Sequence, residues 1–211
     1  MKFPENLSDI KLKQYQLFDN IEEPTNEDLV KCLLDINDKQ LNKFTVKEVN
    51  TLTQHFNDLI NSENNPFVPT FKLNGVEYGF IPNLDDITYG ENKDLTSYIN
   101  DFRTMNKAMA VAYRPIKQKQ GNKYIIQDYE GSHVYAEVMK DAPLDVVFGM
   151  MVFFYDLTKE LLQVTQNYLK EELVKEMTLV ENGEDIARYT HLLRVISEDL
   201  TKLQDYPYIL V

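Results

Sequence analysis

The sequence FKLNGVEYGF at residues 71–80 predicts a β-hairpin, and this hairpin decides the fold class. Asn74-Gly75 accommodates the positive φ angles that a two-residue turn requires. The turn sets a register of three cross-strand pairs: Leu73 with Val76 and Phe71 with Tyr78 on the buried face, and Lys72 with Glu77 on the solvent face. Apolar alternation and charge pairing favour the same register, so we expect antiparallel strands here.

The stretch YGFIPNLDDITYGENKDL, residues 78–95, continues from the hairpin and collects four carboxylates around Gly90. These carboxylates belong to Asp85, Asp86, Glu91 and Asp94. A calcium-binding helix-loop-helix needs oxygen ligands at loop positions one, three and five, glycine at six and glutamate at twelve. With Gly90 at position six, Asp85 falls at position one, but positions three, five and twelve hold Ile87, Tyr89 and Thr96. Three ligands are therefore missing.

We interpret this acidic stretch as a solvated connection whose carboxylates favour the N-terminus of the following helix, each by some tenths of a kcal/mol. A looser magnesium or calcium site is one alternative. A metal-dependent nuclease or a small hydrolase that uses Asp85, Asp86 and Glu91 is another. We expect no catalytic, cofactor-binding or metal-binding residues, and no cofactor.

Three amphipathic helices flank the hairpin. Thr25 is the predicted N-cap of the first helix, and Thr45 with Glu48 forms a capping box at the start of the second. The third begins at about Lys93. The predicted apolar faces are Leu29, Val30, Leu33 and Leu34; then Val49, Leu52, Phe56, Leu59 and Ile60; then Leu95, Tyr98, Ile99, Phe102, Met105 and Met109.

A second hairpin is predicted over residues 109–129. AMAVAYRPI can finish the third helix or begin a strand, and we favour a strand from about Met109. It pairs with KYIIQDYE across the loop KQKQGN. Pro115 places this strand at a sheet edge or ends it, because proline donates no ladder hydrogen bond.

A long helix follows from DAPLDVV, with Pro143 and Asp145 in its first turn. Its first half is apolar all round, which predicts burial, and its second half narrows to one stripe that meets a single partner: Leu157, Leu161, Val164 and Tyr168. ENGED then turns the chain into a second helix that folds back on the first. The apolar positions of that helix are Ile186, Tyr189, Leu193, Ile196, Leu200 and Leu203.

The predicted fold is α+β, predominantly helical, with antiparallel hairpins at residues 68–81 and 109–129. We divide the chain into a strand-like N-terminal arm at residues 1–24, an α+β core at 25–142, and a helical hairpin with an apolar C-terminal tail at 143–211. The tail, DYPYILV, belongs either to its own core or to a docking contact with a neighbouring subunit.

Composition and charge disfavour several classes of function. The chain has 211 residues, 34 acidic against 22 basic, for a net charge of −12, which disfavours sequence-specific binding to nucleic acid and binding to anionic membranes. The nearest basic patch is a hairpin loop with Arg114, Lys117, Lys119 and Lys123. The start resembles no signal peptide, and the longest apolar run is too short to span a bilayer, which predicts a soluble protein.

Few residues offer nucleophilic or metal chemistry. Cys32 is the single cysteine, so it forms no internal disulfide, and it is predicted to pack as a small hydrophobe. His55, His133 and His191 are interpreted as packed or surface residues, since none belongs to a triad or a paired zinc motif. The 7 glycines form no phosphate-binding pattern. These residues favour a protein that is not an enzyme.

Four segments carry a family resemblance: LSDIKLKQYQ, FKLNGVEYGFIPNLDDITYGENKDL, MNKAMAVAYRPI and YEGSHVYAEVMKDAPLDVVFGMMVFFYDLTKELL. They resemble a family of small proteins from tailed bacteriophages, best represented among crAss-like and related gut phages. The resemblance spans most of residues 7–162. It rests on packing and turn patterns and brings no catalytic residue with it.

The resemblance implies a structural or assembly role in the neck and tail region of a virion, after synthesis in the cytoplasm of the host bacterium. Two roles compete. The first is a subunit of a homo-oligomeric ring around the head–tail axis, in contact with other copies of itself and with other neck or tail proteins. The second is a tail-assembly chaperone that is absent from the mature particle. In the first role, acidic charge along a channel would let DNA pass without adhering.

Overall fold

The computed structural model describes residues 3–62 and 65–178 and divides the chain into two units, Met1–Val152 and Phe153–Val211. The helices are α1 Leu12–Asp19, α2 Asn26–Leu34, α3 Asp38–Leu41, α4 Val46–Ile60, α5 Tyr89–Tyr98, α6 Met105–Ala112, α7 Ala136–Met139 and α8 Leu144–Thr178. The strands are β1 Thr70–Leu73, β2 Val76–Phe80, β3 Tyr113–Gln120 and β4 Lys123–Ile126. Short 3-10 turns occupy Leu7–Asp9, Leu84–Asp86, Phe102–Thr104 and Ser132–Val134.

The α+β prediction is confirmed, because these helices accompany one four-stranded antiparallel sheet in the order β1-β2-β3-β4. Strand β3 therefore lies inside the sheet, and the prediction that Pro115 marks an edge or a strand end is wrong. The strand changes partner at this proline. Tyr113–Pro115 pair with β2. Ile116–Gln120 pair with β4, with an irregularity in the register between Ile116 and Gln118.

The first hairpin has the predicted register. Leu73 pairs with Val76, Phe71 with Tyr78, and Lys72 with Glu77. Asn74 and Gly75 both have positive φ, at 52° and 81°, as the two-residue turn requires. One detail is wrong. Leu73 is buried, but its partner Val76 is 43% exposed.

The interpretation of residues 1–24 as a strand-like arm is wrong for residues 7–19. Only Lys11 forms a bridge, to Pro143, and the chain then enters α1. Ile10 and Leu12 are fully buried. Leu12 donates its N–H to the Ala142 carbonyl at 2.9 Å, and Ile10 accepts the N–H of Leu144 at 2.9 Å. The strand-like alternation of apolar residues corresponds only to the bridge between Lys11 and Pro143. Ile10 and Leu12 are buried because this segment leads into α1, which completes the core.

The first two predicted helices are confirmed with their caps. Thr25 accepts the N–H of Asp28, and Thr45 accepts the N–H of Glu48. The predicted faces are buried or half-buried in both helices. These starts are well specified because one hydroxyl and one carboxylate satisfy helix N–H groups that would otherwise lack partners.

The third predicted helix is two helices, and the predicted strand at Met109 is wrong. Helix α5 begins at Tyr89 and ends at Tyr98, and α6 runs from Met105 to Ala112, so the strand starts only at Tyr113. Asp101 interrupts the two helices by accepting the N–H of Arg103. Helix α6 is buried on nearly all sides, and such a short apolar run cannot be distinguished from a buried strand by periodicity.

Helix α8 begins as predicted, one residue after Pro143, and its first two turns are buried. The core therefore includes residues beyond the predicted boundary at 142. The sequence predicts that a single partner meets the apolar stripe on the second half of α8. In the structure this stripe is largely exposed: Leu161, Val164 and Tyr168 are 58%, 60% and 62% exposed. The predicted second helix at 186–203 and the apolar tail at 206–211 lie outside the described residues.

Candidate functional site

The acidic stretch is mostly a capped helix start. Asn83 accepts the N–H of Asp85 at 3.2 Å and donates its amide N–H to the Asp86 carboxylate at 2.7 Å, which closes the 3-10 turn Leu84–Asp86. Both aspartate side chains point to the surface, where they are exposed. Their positions fit the predicted solvated connection, and nothing brings them onto Glu91.

Glu91 has a different environment from the two aspartates. It occupies the N3 position of α5 and forms a capping box with Thr88. Its Oε2 accepts the Thr88 N–H at 2.7 Å and the Thr88 hydroxyl at 2.6 Å. Gly90 lies inside the first turn of this helix. Glu91 is 4% exposed, so this cap is built at the edge of the core.

The second carboxylate oxygen of Glu91 reaches the sheet. Its Oε1 lies 2.5 Å from Nη2 of Arg114 on β3, and both side chains are 6% exposed. The guanidinium also lies over the Tyr129 ring, 5.5 Å from its centroid. Among the described residues, Nε and Nη1 of Arg114 are buried and have no hydrogen-bond partner. One carboxylate therefore joins the cap of α5 to the central strand.

Asp94, the fourth carboxylate, binds Tyr129 one turn further along α5. The Tyr129 hydroxyl donates to Oδ2 of Asp94 at 2.5 Å. Burial, followed by this hydrogen bond and the charge of Asp94, raises the pKa of the Tyr129 phenol. A phenol that stays protonated keeps donating, so Tyr129 acts as a spacer between Asp94 and the Arg114 guanidinium.

Two opposing effects act on Glu91. Burial alone would raise the pKa of its carboxyl group, but the Thr88 hydroxyl and N–H together with the charge of Arg114 outweigh burial. The pKa therefore lies below its ordinary value of 4.5. A carboxylate held ionised this way is a poor proton acceptor at neutral pH and a good structural anion.

We expect this pKa shift to give the fold a defined acid sensitivity. A group whose pKa is lower in the folded state stabilises it above the unfolded pKa, and that stabilisation is lost as the pH falls through the folded pKa. The stability advantage of the wild type over Glu91→Gln should be full at pH 7 and shrink below about pH 4.5. Urea titrations of both proteins across this range measure it, and a constant difference would contradict it.

The predicted absence of a metal site remains a prediction, but the geometry gives it support. The four carboxylates serve separate partners: Asp86 binds Asn83, Glu91 binds Thr88 and Arg114, and Asp94 binds Tyr129, while Asp85 lies exposed. Across residues 3–62 and 65–178, no three or more histidine, cysteine, aspartate or glutamate side chains form a group able to hold a metal ion.

Gly90→Ala should raise the free energy of unfolding by about 0.5–1 kcal/mol, because alanine is the better helix former. The position is helical and exposed, and a Cβ there would lie 3.9 Å from the nearest atom, on Tyr129. A calcium-type loop would instead require glycine at this position. Thermal denaturation should show a small rise in Tm, and a fall in Tm would mean that the loop needs the glycine.

Gly149→Ala is the matched control for this substitution. Gly149 is also helical, but a Cβ there would lie 2.4 Å from the Pro66 carbonyl oxygen. Because the obstacle is backbone, we expect a loss of about 1–3 kcal/mol. The two alanine variants should therefore change stability in opposite directions.

The remaining candidate residues serve local structure. His55 Nε2 lies 2.9 Å from the Pro4 carbonyl oxygen, and its ring contacts Phe56. His133 follows Gly131 in a 3-10 turn, and His191 lies outside the described residues. Burial raises the pKa of the half-buried Cys32 thiol, which makes it a weaker nucleophile at neutral pH.

The basic hairpin loop offers little unpaired charge. Lys117 pairs with Asp128 at 2.8 Å, and Lys119 forms an ion pair with Glu77. Arg114, the fourth residue of the patch, is buried against Glu91. This arrangement removes most of the positive surface that the sequence places at this hairpin.

Sequence reasoning missed the Thr88–Glu91 cap and the Glu91–Arg114 ion pair. The cap carries the same Thr-x-x-Glu signal that identifies Thr45 and Glu48, so it could have been found. The ion pair joins residues far apart in the chain, and a single sequence contains no signal for it.

Within the described ranges, no helix combines the length and apolarity needed to cross a membrane. Comparisons with protein-family models, with curated proteins and with solved structures returned no match for this chain.

Proposed function

We propose that this protein is a non-enzymatic structural subunit of a tailed-phage virion, repeated in a ring at the head–tail neck or in the tail. The observation that carries the proposal is the resemblance of four segments, spanning most of residues 7–162, to small proteins of crAss-like and related phages. The partners are other copies of the same chain and adjacent neck or tail proteins.

The positions of the resembling segments in the structure support a fold shared with those phage proteins. LSDIKLKQYQ supplies the buried Ile10 and Leu12, and MNKAMAVAYRPI forms α6 and the start of β3. FKLNGVEYGF forms the first hairpin, whose Phe71 and Tyr78 are buried. Because these segments build the core, the resemblance concerns how the chain folds.

The chemistry of the buried charges supports a structural role. Catalytic acids and bases usually have a pKa close to neutral pH and lie in a cleft that substrate can enter. Glu91 has a lowered pKa, is buried, and is committed to Thr88 and Arg114. Its geometry suits a clamp between helix and sheet.

The surface of the second unit supports assembly. A ring subunit needs apolar surface that the isolated chain leaves open, and α8 presents Leu161, Val164 and Tyr168 to solvent. The net charge of −12 suits a position beside DNA that must pass without adhering.

Mass spectrometry of purified virions tests the proposal. We expect peptides of this chain at a copy number of several per particle, measured against the major capsid protein as an internal standard. Abundant host cytosolic proteins serve as the contamination control. If the chain is abundant in infected cells but absent from purified particles, the structural role is wrong and the tail-assembly chaperone takes its place, since an exposed apolar stripe suits that role as well.

A further inference from the structure

The turn of the first hairpin joins two residues that can react with each other. Asn74 and Gly75 are both exposed, and both have positive φ, at 52° and 81°. Apart from its chain neighbours, a Cβ added at Gly75 would meet no atom within 4 Å, so the turn is open to solvent. Because glycine has no side chain, nothing shields its backbone nitrogen from the side-chain amide of Asn74.

The chemistry open to this pair is deamidation through a cyclic imide, one reason why asparagine is a thermolabile residue. The Gly75 backbone nitrogen attacks Cγ of Asn74 and gives up its proton, the bond from Cγ to the side-chain nitrogen breaks, and ammonia leaves. Water then opens the five-membered imide at either of its carbonyls, which yields aspartate or isoaspartate. One water is consumed and one ammonia is released, so nothing is oxidised or reduced.

The folded turn opposes this reaction. Positive φ at both central residues defines a type I′ turn. A turn of this type holds ψ of its first central residue near about 30°, which directs the Gly75 nitrogen away from the Cβ of Asn74. The imide ring closes only after the Cα–C bond of Asn74 has rotated, and that rotation breaks the turn. The reaction therefore requires local opening of the β1–β2 hairpin.

The hairpin is built so that its turn can open without global unfolding. Strand β1 has four residues, lies at the edge of the sheet and pairs only with β2. Phe71 and Leu73 anchor it, at 9% and 8% exposure, whereas Val76 directly after the turn is 43% exposed. Local opening costs least where few apolar contacts are buried, so the turn end of this hairpin opens more readily than the core.

We propose that Asn74 is a site of spontaneous deamidation and that opening of the β1–β2 hairpin sets the rate of the reaction. The inference does not rest on the role of the protein in a virion.

The two products affect the fold differently. Aspartate leaves the backbone unchanged, and Asp-Gly suits the same turn. Isoaspartate carries the main chain through its side chain, which adds one carbon atom to the backbone between Leu73 and Gly75. The added carbon removes the spacing that pairs Leu73 with Val76. The isoaspartate form therefore releases the buried Leu73 side chain and loosens β1.

Peptide mapping by mass spectrometry of the full chain, incubated at mildly alkaline pH with and without urea, measures the reaction. Asn122 is the matched control, because it is an exposed asparagine in the turn of the second hairpin but is followed by Lys123. Asn182 is also followed by glycine and gives the rate of the same dipeptide in urea. We expect native Asn74 to deamidate faster than native Asn122, but about tenfold or more slower than Asn74 in urea, because only the open fraction reacts.

The measured rates test the site and the role of the hairpin separately. A native Asn74 that reacts no faster than Asn122 overturns the site. Equal rates for Asn74 in the native protein and in urea overturn the role of the hairpin, since the turn then gives no protection.

Melting of the products tests the structural consequence. Asn74→Asp should keep the melting temperature of the wild type, whereas the isoaspartate form, separated by chromatography, should melt several degrees lower. Equal melting temperatures for these two proteins would mean that the pairing of Leu73 with Val76 survives the added carbon, which overturns the proposed effect on β1.

Discussion

Replacing Glu91 by alanine is expected to lower the free energy of unfolding by about 3–5 kcal/mol, because it leaves the Arg114 guanidinium buried without its carboxylate. Both partners of this pair are 6% exposed, so water cannot replace the lost interaction without opening the core. The same substitution removes the acceptor for the Thr88 hydroxyl and N–H at the start of α5. Urea unfolding at pH 7, followed by circular dichroism, measures the loss.

Three variants serve as controls for Glu91→Ala. Asp86→Ala removes an exposed carboxylate from the same acidic stretch and should cost less than about 0.5 kcal/mol. Thr88→Ala removes only the cap and should cost about 1 kcal/mol. Glu91→Leu combined with Arg114→Met replaces the whole pair by apolar side chains, and should recover most of the stability that Glu91→Ala loses.

These variants also separate the clamp from a metal or catalytic interpretation of the acidic stretch. In a metal site, Asp86 and Glu91 would both be ligands, and replacing either by alanine would lower the free energy of unfolding by a comparable amount. In the clamp, only Glu91 matters for stability, because it alone is buried against a charge. Equal effects of Asp86→Ala and Glu91→Ala would contradict our account of this site.

The elements that the sequence predicts correctly have their signals within a few consecutive residues. Asn74-Gly75 specifies a turn because both residues adopt positive φ, and Thr45 with Glu48 specifies a helix start because their side chains satisfy backbone N–H groups. Neither signal depends on the rest of the chain. The structure confirms both the register of the first hairpin and the capping box at the start of α4.

The errors have a common physical cause, which is that tertiary contacts decide between local alternatives. Residues 105–112 are apolar enough for a buried strand or a buried helix, and the helix forms where Asn106 can donate to the Ala136 carbonyl and accept from Gln16. Residues 10–12 alternate like a strand, but the backbone of residues 142–144 is their partner for only a single bridge.

The candidate site was predictable in part. Gly90 looks like a loop residue because glycine is rare inside helices, and that interpretation concealed the Thr88–Glu91 cap around it. The sequence groups Arg114 with the lysines of the hairpin loop. Its burial depends on the partner change of β3 at Pro115, which only the assembled sheet reveals.

Leu73→Asp is expected to destabilise the protein by about 3–5 kcal/mol, since it removes a buried apolar side chain and places an unpaired charge in the same volume. Leu73 is 8% exposed and lies at the end of β1 beside the turn. Its neighbour Lys72 points to solvent, and the carboxylate opposite, on Glu77, binds Lys119. Lys72→Thr should therefore cost little, because threonine also suits an exposed strand position.

Val76→Asp provides the sharpest control, because it makes the same kind of change at the residue directly across the hairpin from Leu73. Val76 is 43% exposed, so its carboxylate can stay hydrated, and we expect a loss below about 1 kcal/mol. A hairpin slipped by one residue would move every side chain to the opposite face, which would bury Lys72 in place of Leu73. Denaturant midpoints of the three variants distinguish these arrangements. Equal losses for Leu73→Asp and Lys72→Thr would contradict the register, and equal losses for Leu73→Asp and Val76→Asp would mean that the core extends to the end of the hairpin.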